Sequence, residues 1–182
     1  MHADVKEILF TADQIKARIK ELGRQISDDY RVKTLVLVGV LNGVLPFLND
    51  LLGVLDMPAA YDLIELSSYG WSTVSSGNVR VLKDMALDIS GKDVLLVEDI
   101  IDTGLTLHTA IAHLSCQKPK SLKTCVLLDK PARRRVVIKP DYSGFTIPDV
   151  FVVGYGLDYA EKYRELPYVG VLKVNKRPVT RG

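Results

Sequence analysis

The chain has 182 residues, 47% of them hydrophobic, which suits one domain, 1–182, with a core large enough to need no staples. Its 24 Lys and Arg nearly balance 22 Asp and Glu, so the net charge argues for neither nucleic acid nor membrane as a partner. Cys116 and Cys125 have no metal-ligand spacing, the opening residues are charged where a secretory signal is apolar, and no run reaches the roughly 18 apolar residues of a spanning helix. Free thiols and a cytoplasmic location are therefore expected.

Ile15, Ile19, Leu22 and Ile26 repeat at helical spacing. Thr11 and Gln14 predict a capping box there, with Phe10 and Ile15 as its hydrophobic staple. Thr34–Val38 is a short β-branched run and reads as a strand, ending in Gly39 and a small VLNG loop. A helix is predicted from Val44 to Leu52, with Pro46 in its first turn and Gly53 as its stop. Tyr61–Leu66 reads as a second strand. Ser67–Asn78 is poor in apolar residues and reads as a long exposed loop, a candidate lid. Val79–Leu82 is a strand returning from it, and Asp88–Lys92 is a turn.

Val94–Val97 is the cleanest buried strand in the chain. Leu107, Ile111 and Leu114 then predict a helix that ends at Lys118-Pro119-Lys120. Thr124–Leu128, Phe151–Val153 and Val169–Val174 are further strand candidates. Strands alternating with helices predict an α/β fold with a mostly parallel central sheet and helices on both faces.

In such sheets ligands sit beyond the carboxyl ends of the strands. The strand VLLV runs into Glu98 and Asp99, followed by Asp102 and a Thr103-Gly104-Leu105-Thr106 turn that opens a helix. Gly104 permits a tight turn, the threonines offer hydroxyls, and the helix start offers free N–H groups to a phosphate. Adjacent carboxylates can accept hydrogen bonds from a sugar diol or face a metal ion. The plainer alternative makes Glu98 and Asp99 exposed loop charges and Thr103 or Asp102 a helix cap. Neither a P-loop nor a GxGxxG fingerprint is present.

VEDIIDTGLT closely resembles the phosphoribosyl pyrophosphate signature of type I phosphoribosyltransferases. Ser68-Tyr69-Gly70 resembles that family's mobile-loop element. Leu127–Lys130 with Arg133-Arg134 resembles its purine-side strand and loop. Asp141–Phe145, Ile147-Pro148-Asp149 and Phe151–Tyr159 resemble the C-terminal hallmark of hypoxanthine-guanine phosphoribosyltransferases. The likeness runs from about Ile8 to Lys173. It implies the type I fold, with a small hood formed by terminal segments and a flexible active-site loop at 67–78. It also implies purine salvage: transfer of phosphoribose from phosphoribosyl pyrophosphate to hypoxanthine or guanine, with magnesium as cofactor and a homodimer or homotetramer as the assembly.

Carried over residue by residue, the likeness makes Asp102 the general base for purine N7. Glu98 and Asp99 bind the ribose hydroxyls and face magnesium. Thr103, Gly104, Leu105 and Thr106 hold the 5′-phosphate. Leu41, Asn42 and Gly43 form the pyrophosphate loop, Arg164 clamps pyrophosphate, and Ser68 and Tyr69 belong to the lid. Lys130 donates to the 6-oxo group, Phe151 stacks on the base, Val152 reads it through its backbone, and Asp158 binds magnesium beside it. Read without the likeness, Lys130 is a solvated strand-end lysine, Phe151 a core aromatic, and Asp158 with Arg164 a surface ion pair. Arg133-Arg134-Arg135 reads as a solvated face or subunit contact, and the histidines receive no role.

Three positions depart from the pattern. Asn42 stands where many members carry Lys, in a loop that in the family often holds a cis peptide, and Leu105 and Val150 also replace lysines of some relatives. The competing readings are a xanthine-preferring enzyme and an RNA-binding regulator that keeps the donor site. The Asp102 and Lys130 pair and the FVVGYG segment speak against the regulator.

Overall fold

The computed structural model describes residues 1–68 and 79–173. Its centre is a six-stranded sheet in the order β4-β3-β2-β5-β6-β7. These are Val79–Lys83, Ala59–Ser68, Leu35–Leu41, Asp93–Ile101, Ser121–Asp129 and Tyr142–Thr146 respectively. All neighbours run parallel except β4, which returns antiparallel along β3 at the edge. The middle strands carry continuous apolar runs, Leu35–Leu41, Val94–Val97 and Cys125–Leu128, because both faces are covered, as a parallel sheet requires.

Alternation along the strands divides the core in two. Leu35, Leu37, Leu95, Val97 and Leu127 face one side with α1 (Ala12–Tyr30) and α2 (Leu45–Val54). Val36, Val38, Val94, Leu96 and Val126 face the other side with α3 (Leu105–Ser115). Helices therefore lie on both faces, as the alternating pattern predicts. The Thr11–Gln14 capping box forms, with the Gln14 N–H donating to the Thr11 hydroxyl at 3.3 Å and the Thr11 N–H to the Gln14 side chain at 2.9 Å. Such a cap contributes about 1 kcal/mol. Phe10, the expected staple, packs against the core cluster that contains Ile15 and stacks on Phe145 with ring centroids 3.9 Å apart.

A second sheet of order β1-β9-β8 joins Val5–Phe10, Val169–Leu172 and Val152–Val153, all antiparallel. This is the terminal hood. Neither β1 nor β7 stands out in the sequence. VKEILF is mostly exposed and gains its strand character from pairing with β9, while YSGFT is an edge strand whose Ser143 and Gly144 carbonyls accept from the Arg18 guanidinium at 2.8 Å each. Gly53 does not stop α2, which runs on to Val54 and ends at an extended Leu55. The strand expected at Tyr61–Leu66 extends to Ser68, so β3 takes over the start of the expected loop. Residues 69–78 and Val174 lie outside the described residues.

Candidate active site

Strands β2 and β5 are adjacent and parallel, with Leu35 opposite Asp93, so their carboxyl ends open onto the same sheet edge. That edge is where ligands bind in open α/β sheets. Strand β5 is longer than the apolar run alone suggests and continues through Glu98 and Asp99 to Ile101. Glu98 is thus a strand residue, only 6% exposed, and not an exposed loop charge. Its Oε2 is buried without a hydrogen-bond partner.

Gly104 ends the turn that leaves β5. It caps α3 in the left-handed region at φ 83°, with no side-chain hydrogen bond to the helix start. A side chain there would be strained and would press on Val136 at 2.8 Å. Only a long contact, 3.4 Å from the Leu105 N–H to the Thr103 hydroxyl, touches the first turn. The helix start keeps its partial positive charge and N–H groups for an anion. A hollow of about 210 Å³ lies there, lined among others by Glu98, Asp99, Asp102, Thr103, Gly104 and Thr106.

A second hollow of about 260 Å³ adjoins it and shares Asp99 and Asp102; Lys130, Phe151, Val152 and Asp158 also line it. Lys130 closes β6 with its N–H on the Ile101 carbonyl at 3.0 Å. At 4% exposure it is no solvated lysine. Its ammonium lies 3.9 Å from Asp102 and 3.8 Å from Asp149, and Arg133 approaches the other Asp102 oxygen at 3.5 Å. Asp102 therefore faces two cations and does not cap the helix. Phe151 is 42% exposed, meeting Tyr159 edge-on at 5.4 Å, so it is not a core aromatic. Val152 is buried in β8, which leaves its backbone at the rim.

Gly43 locks the third segment in place. A Cβ on Gly43 would collide with the Asp99 carboxylate, and a Cβ on Gly156 would collide with the Gly43 carbonyl. The loop Leu41–Gly43 thus packs bare backbone between Asp99 and the 154–158 turn. The Leu41–Asn42 peptide is cis. Arg164 donates to the Gly156 carbonyl at 2.7 Å and pairs with Asp158 at 2.8 Å, so the expected clamp and metal ligand are here partners of each other.

Burial raises the Glu98 carboxyl well above the usual range, and the Asp99 charge beside it adds to this. Burial also raises Asp99, to about 6. Donation from the Ile100 N–H at 2.7 Å and the positive Arg164 oppose that rise, and Asp158 reinforces it. An adjacent pair of this kind, Glu98 buried and Asp99 half-buried, favours a ligand that brings donors or positive charge. Magnesium is a hard ion that is commonly held by one or two carboxylates plus substrate oxygens. The donor set fits that mode. Among the described residues no group of three or more His, Cys, Asp and Glu forms a metal cage, so Glu98, Asp99 and Asp158 do not converge as one ligand set.

Leu41, Asn42, Gly43, Glu98, Asp99, Asp102, Thr103–Thr106, Lys130, Phe151, Val152, Asp158 and Arg164 all lie around this edge. Ser68 ends β3 opposite Val79, and Tyr69 is outside the described residues. Sequence reasoning placed Arg133 and Asp149 in motifs of the likeness but gave neither a role in the site. Arg133 was hidden in a basic run expected to be solvated, and Arg134 of that run is instead a structural clamp, pairing with Asp129 and donating to the Asp102 carbonyl at 3.2 Å.

An open parallel sheet whose edge joins an anion-binding helix start to paired carboxylates defines a sugar-phosphate transferase of the phosphoribosyl type. Residues 6–160 match the phosphoribosyl transferase domain family, and the chain belongs to it. Over 173 residues, 95% of this chain, it is 47% identical to the hypoxanthine-guanine phosphoribosyltransferase of Bacillus subtilis, covering 96% of that protein. It is 49% identical over 173 residues to the bifunctional protein TilS/HprT of Listeria innocua, of whose length it spans 27%. A hypoxanthine phosphoribosyltransferase structure from Staphylococcus aureus superposes with a TM-score of 0.91 at 48% identity, covering 95% of this chain and 94% of that one.

Proposed function

We propose that this chain is a purine salvage enzyme that transfers the 5-phosphoribosyl group from phosphoribosyl pyrophosphate to hypoxanthine or guanine, giving IMP or GMP and pyrophosphate. The observation that carries the reading is the pair of adjoining hollows that share Asp99 and Asp102. One is lined by Glu98, Asp99, Asp102 and the Thr103–Thr106 turn, and the other holds a buried lysine beside an exposed aromatic face. The names of the relatives at 47% and 48% identity point to the same reaction.

In this reading Thr103–Thr106 and the α3 start anchor the 5′-phosphate, and Glu98 and Asp99 accept from the ribose hydroxyls. Phe151 stacks on the base, the Val152 backbone reads its edge, and Lys130 donates to the 6-oxo oxygen. Asp102, at the junction of the hollows, accepts the N7 proton as the base joins the sugar. The backbone of Leu41, Asn42 and Gly43, together with Arg164, receives the departing pyrophosphate, so the missing charge at Asn42 leaves the N–H contacts available. Glu98 and Asp99, and separately Asp158, would hold magnesium, which when bound would neutralise charge on that leaving group. Ser68, at the end of β3, and Tyr69 begin the segment to which this reading gives the lid's role, within one domain spanning 1–182. The enzyme acts in the cytoplasm as a homodimer or homotetramer, which light scattering on the purified chain reads directly.

A spectrophotometric assay with phosphoribosyl pyrophosphate, magnesium and each of hypoxanthine, guanine, xanthine, adenine and uracil tests the reading. Turnover with hypoxanthine or guanine is expected. Absence of turnover with every 6-oxopurine refutes it.

A further inference from the structure

Four charged side chains alternate in sign along the base-side hollow. Arg133 lies 3.5 Å from Asp102, Asp102 lies 3.9 Å from Lys130, and Lys130 lies 3.8 Å from Asp149. Lys130 is almost wholly removed from water. A buried ammonium needs counter-charge, or it is lost to deprotonation or displacement. Asp102 alone is a poor counter-ion for it, for two reasons. A closed Lys130–Asp102 pair would draw the ammonium onto the carboxylate, committing one of its three N–H donors there and pulling it away from the base. Asp102 also loses its charge on taking the N7 proton, at the moment when Lys130 is needed at the 6-oxo oxygen.

Asp149 is a second carboxylate within 4 Å of the ammonium, at 3.8 Å. Its position is set by the chain, because the Ile147 N–H bonds the Asp129 carbonyl at 2.8 Å and the Val150 N–H bonds the Pro148 carbonyl at 2.9 Å. The ammonium sits at nearly equal distances from the two carboxylates, too far from either for a close hydrogen bond. Its donors stay available to a third acceptor. We infer that Asp149 is a positioning residue that holds the Lys130 ammonium off Asp102 and keeps it charged and turned toward the 6-substituent of the base. The inference rests on the reading of Lys130 as the base-facing donor.

Steady-state kinetics on the purified chain with hypoxanthine and phosphoribosyl pyrophosphate separate the possibilities. Asp149→Asn is expected to raise the hypoxanthine KM about threefold to tenfold, between the effects of exposed and buried ion pairs, and to leave the donor KM unchanged. Asp149→Glu should recover most of the loss. In a Lys130→Met background, Asp149→Asn should add nothing, since its effect passes through the ammonium. An unchanged hypoxanthine KM in Asp149→Asn, or an equal effect with and without Lys130, overturns the inference while the role of Lys130 stands. An unchanged hypoxanthine KM in Lys130→Met overturns both.

Discussion

Replacing Glu98 by Gln should make the protein more stable and a worse enzyme. Glu98 is buried, one of its oxygens has no hydrogen-bond partner, and the adjacent Asp99 charge repels it. Each unit by which burial raises a carboxyl withdraws about 1.4 kcal/mol from the folded state once the pH exceeds the folded value. The sign follows from proton counting. A raised pKa means that the folded protein holds more protons than the unfolded chain, so the stability is present at acid pH and falls as the pH rises. For Asp99 the fall spans the interval from about 4 to about 6, and for Glu98 it continues higher. The Glu98→Gln change removes the cost of this carboxylate and the repulsion between it and Asp99. The gain should show at pH 8 as a higher Tm, each 1 kcal/mol corresponding to roughly 2–4 °C for a chain of this size. Differential scanning fluorimetry across pH 5–8 reads it, with the difference from the native chain shrinking toward pH 5. The same variant should bind phosphoribosyl pyrophosphate more weakly by calorimetry. A lower Tm at pH 8, or a difference that is constant with pH, refutes the account of Glu98 as an uncompensated buried charge.

Asp102→Asn should retain donor binding and lose about 10²–10⁴-fold in kcat if Asp102 is the general base; full activity removes it from the mechanism. Gly43→Ala should raise the donor KM sharply, since its Cβ would occupy the place of the Asp99 carboxylate; an unchanged donor KM contradicts the packing described. Phe151→Ala should raise the base KM about tenfold, the usual worth of one stacking face, with little change in Tm because the ring is exposed; a large fall in Tm would return Phe151 to the core. Gly104→Ala should lose about 1–2 kcal/mol, from the positive φ and the contact with Val136, read as a lower thermal midpoint.

The parts of the fold that show in the sequence are those whose signal is local. The capping box at Thr11, the buried run at Val94 and the helical spacing of Leu107, Ile111 and Leu114 each depend on residues within one element. β1 and β7 escape because their strand character comes from distant partners, Leu172 for Val5 and Cys125 for Tyr142. The site behaves similarly. The VEDIIDTGLT segment carries its chemistry in consecutive residues and is legible. Arg133 and Asp149 lie in motifs that carry the likeness, but their particular contacts appear only when the β6–β7 connection brings Arg133 beside Asp102 and the segment after β7 brings Asp149 beside Lys130.

The same connection explains how the site tolerates its carboxylates. Glu98 and Asp99 lie in the strand itself, where neighbouring strands exclude water, and their cost is carried by the parallel core on either side. Asp102, one turn further on, meets cations that arrive on a different segment. Glu98 keeps an oxygen without a hydrogen-bond partner and Asp99 has the Ile100 N–H and the Arg164 charge near it, whereas Asp102 faces the cations Lys130 and Arg133. That division suits a sugar diol at the first pair, which brings its own donors, and a proton at the third, which must be taken up and given back without the charge line around it collapsing.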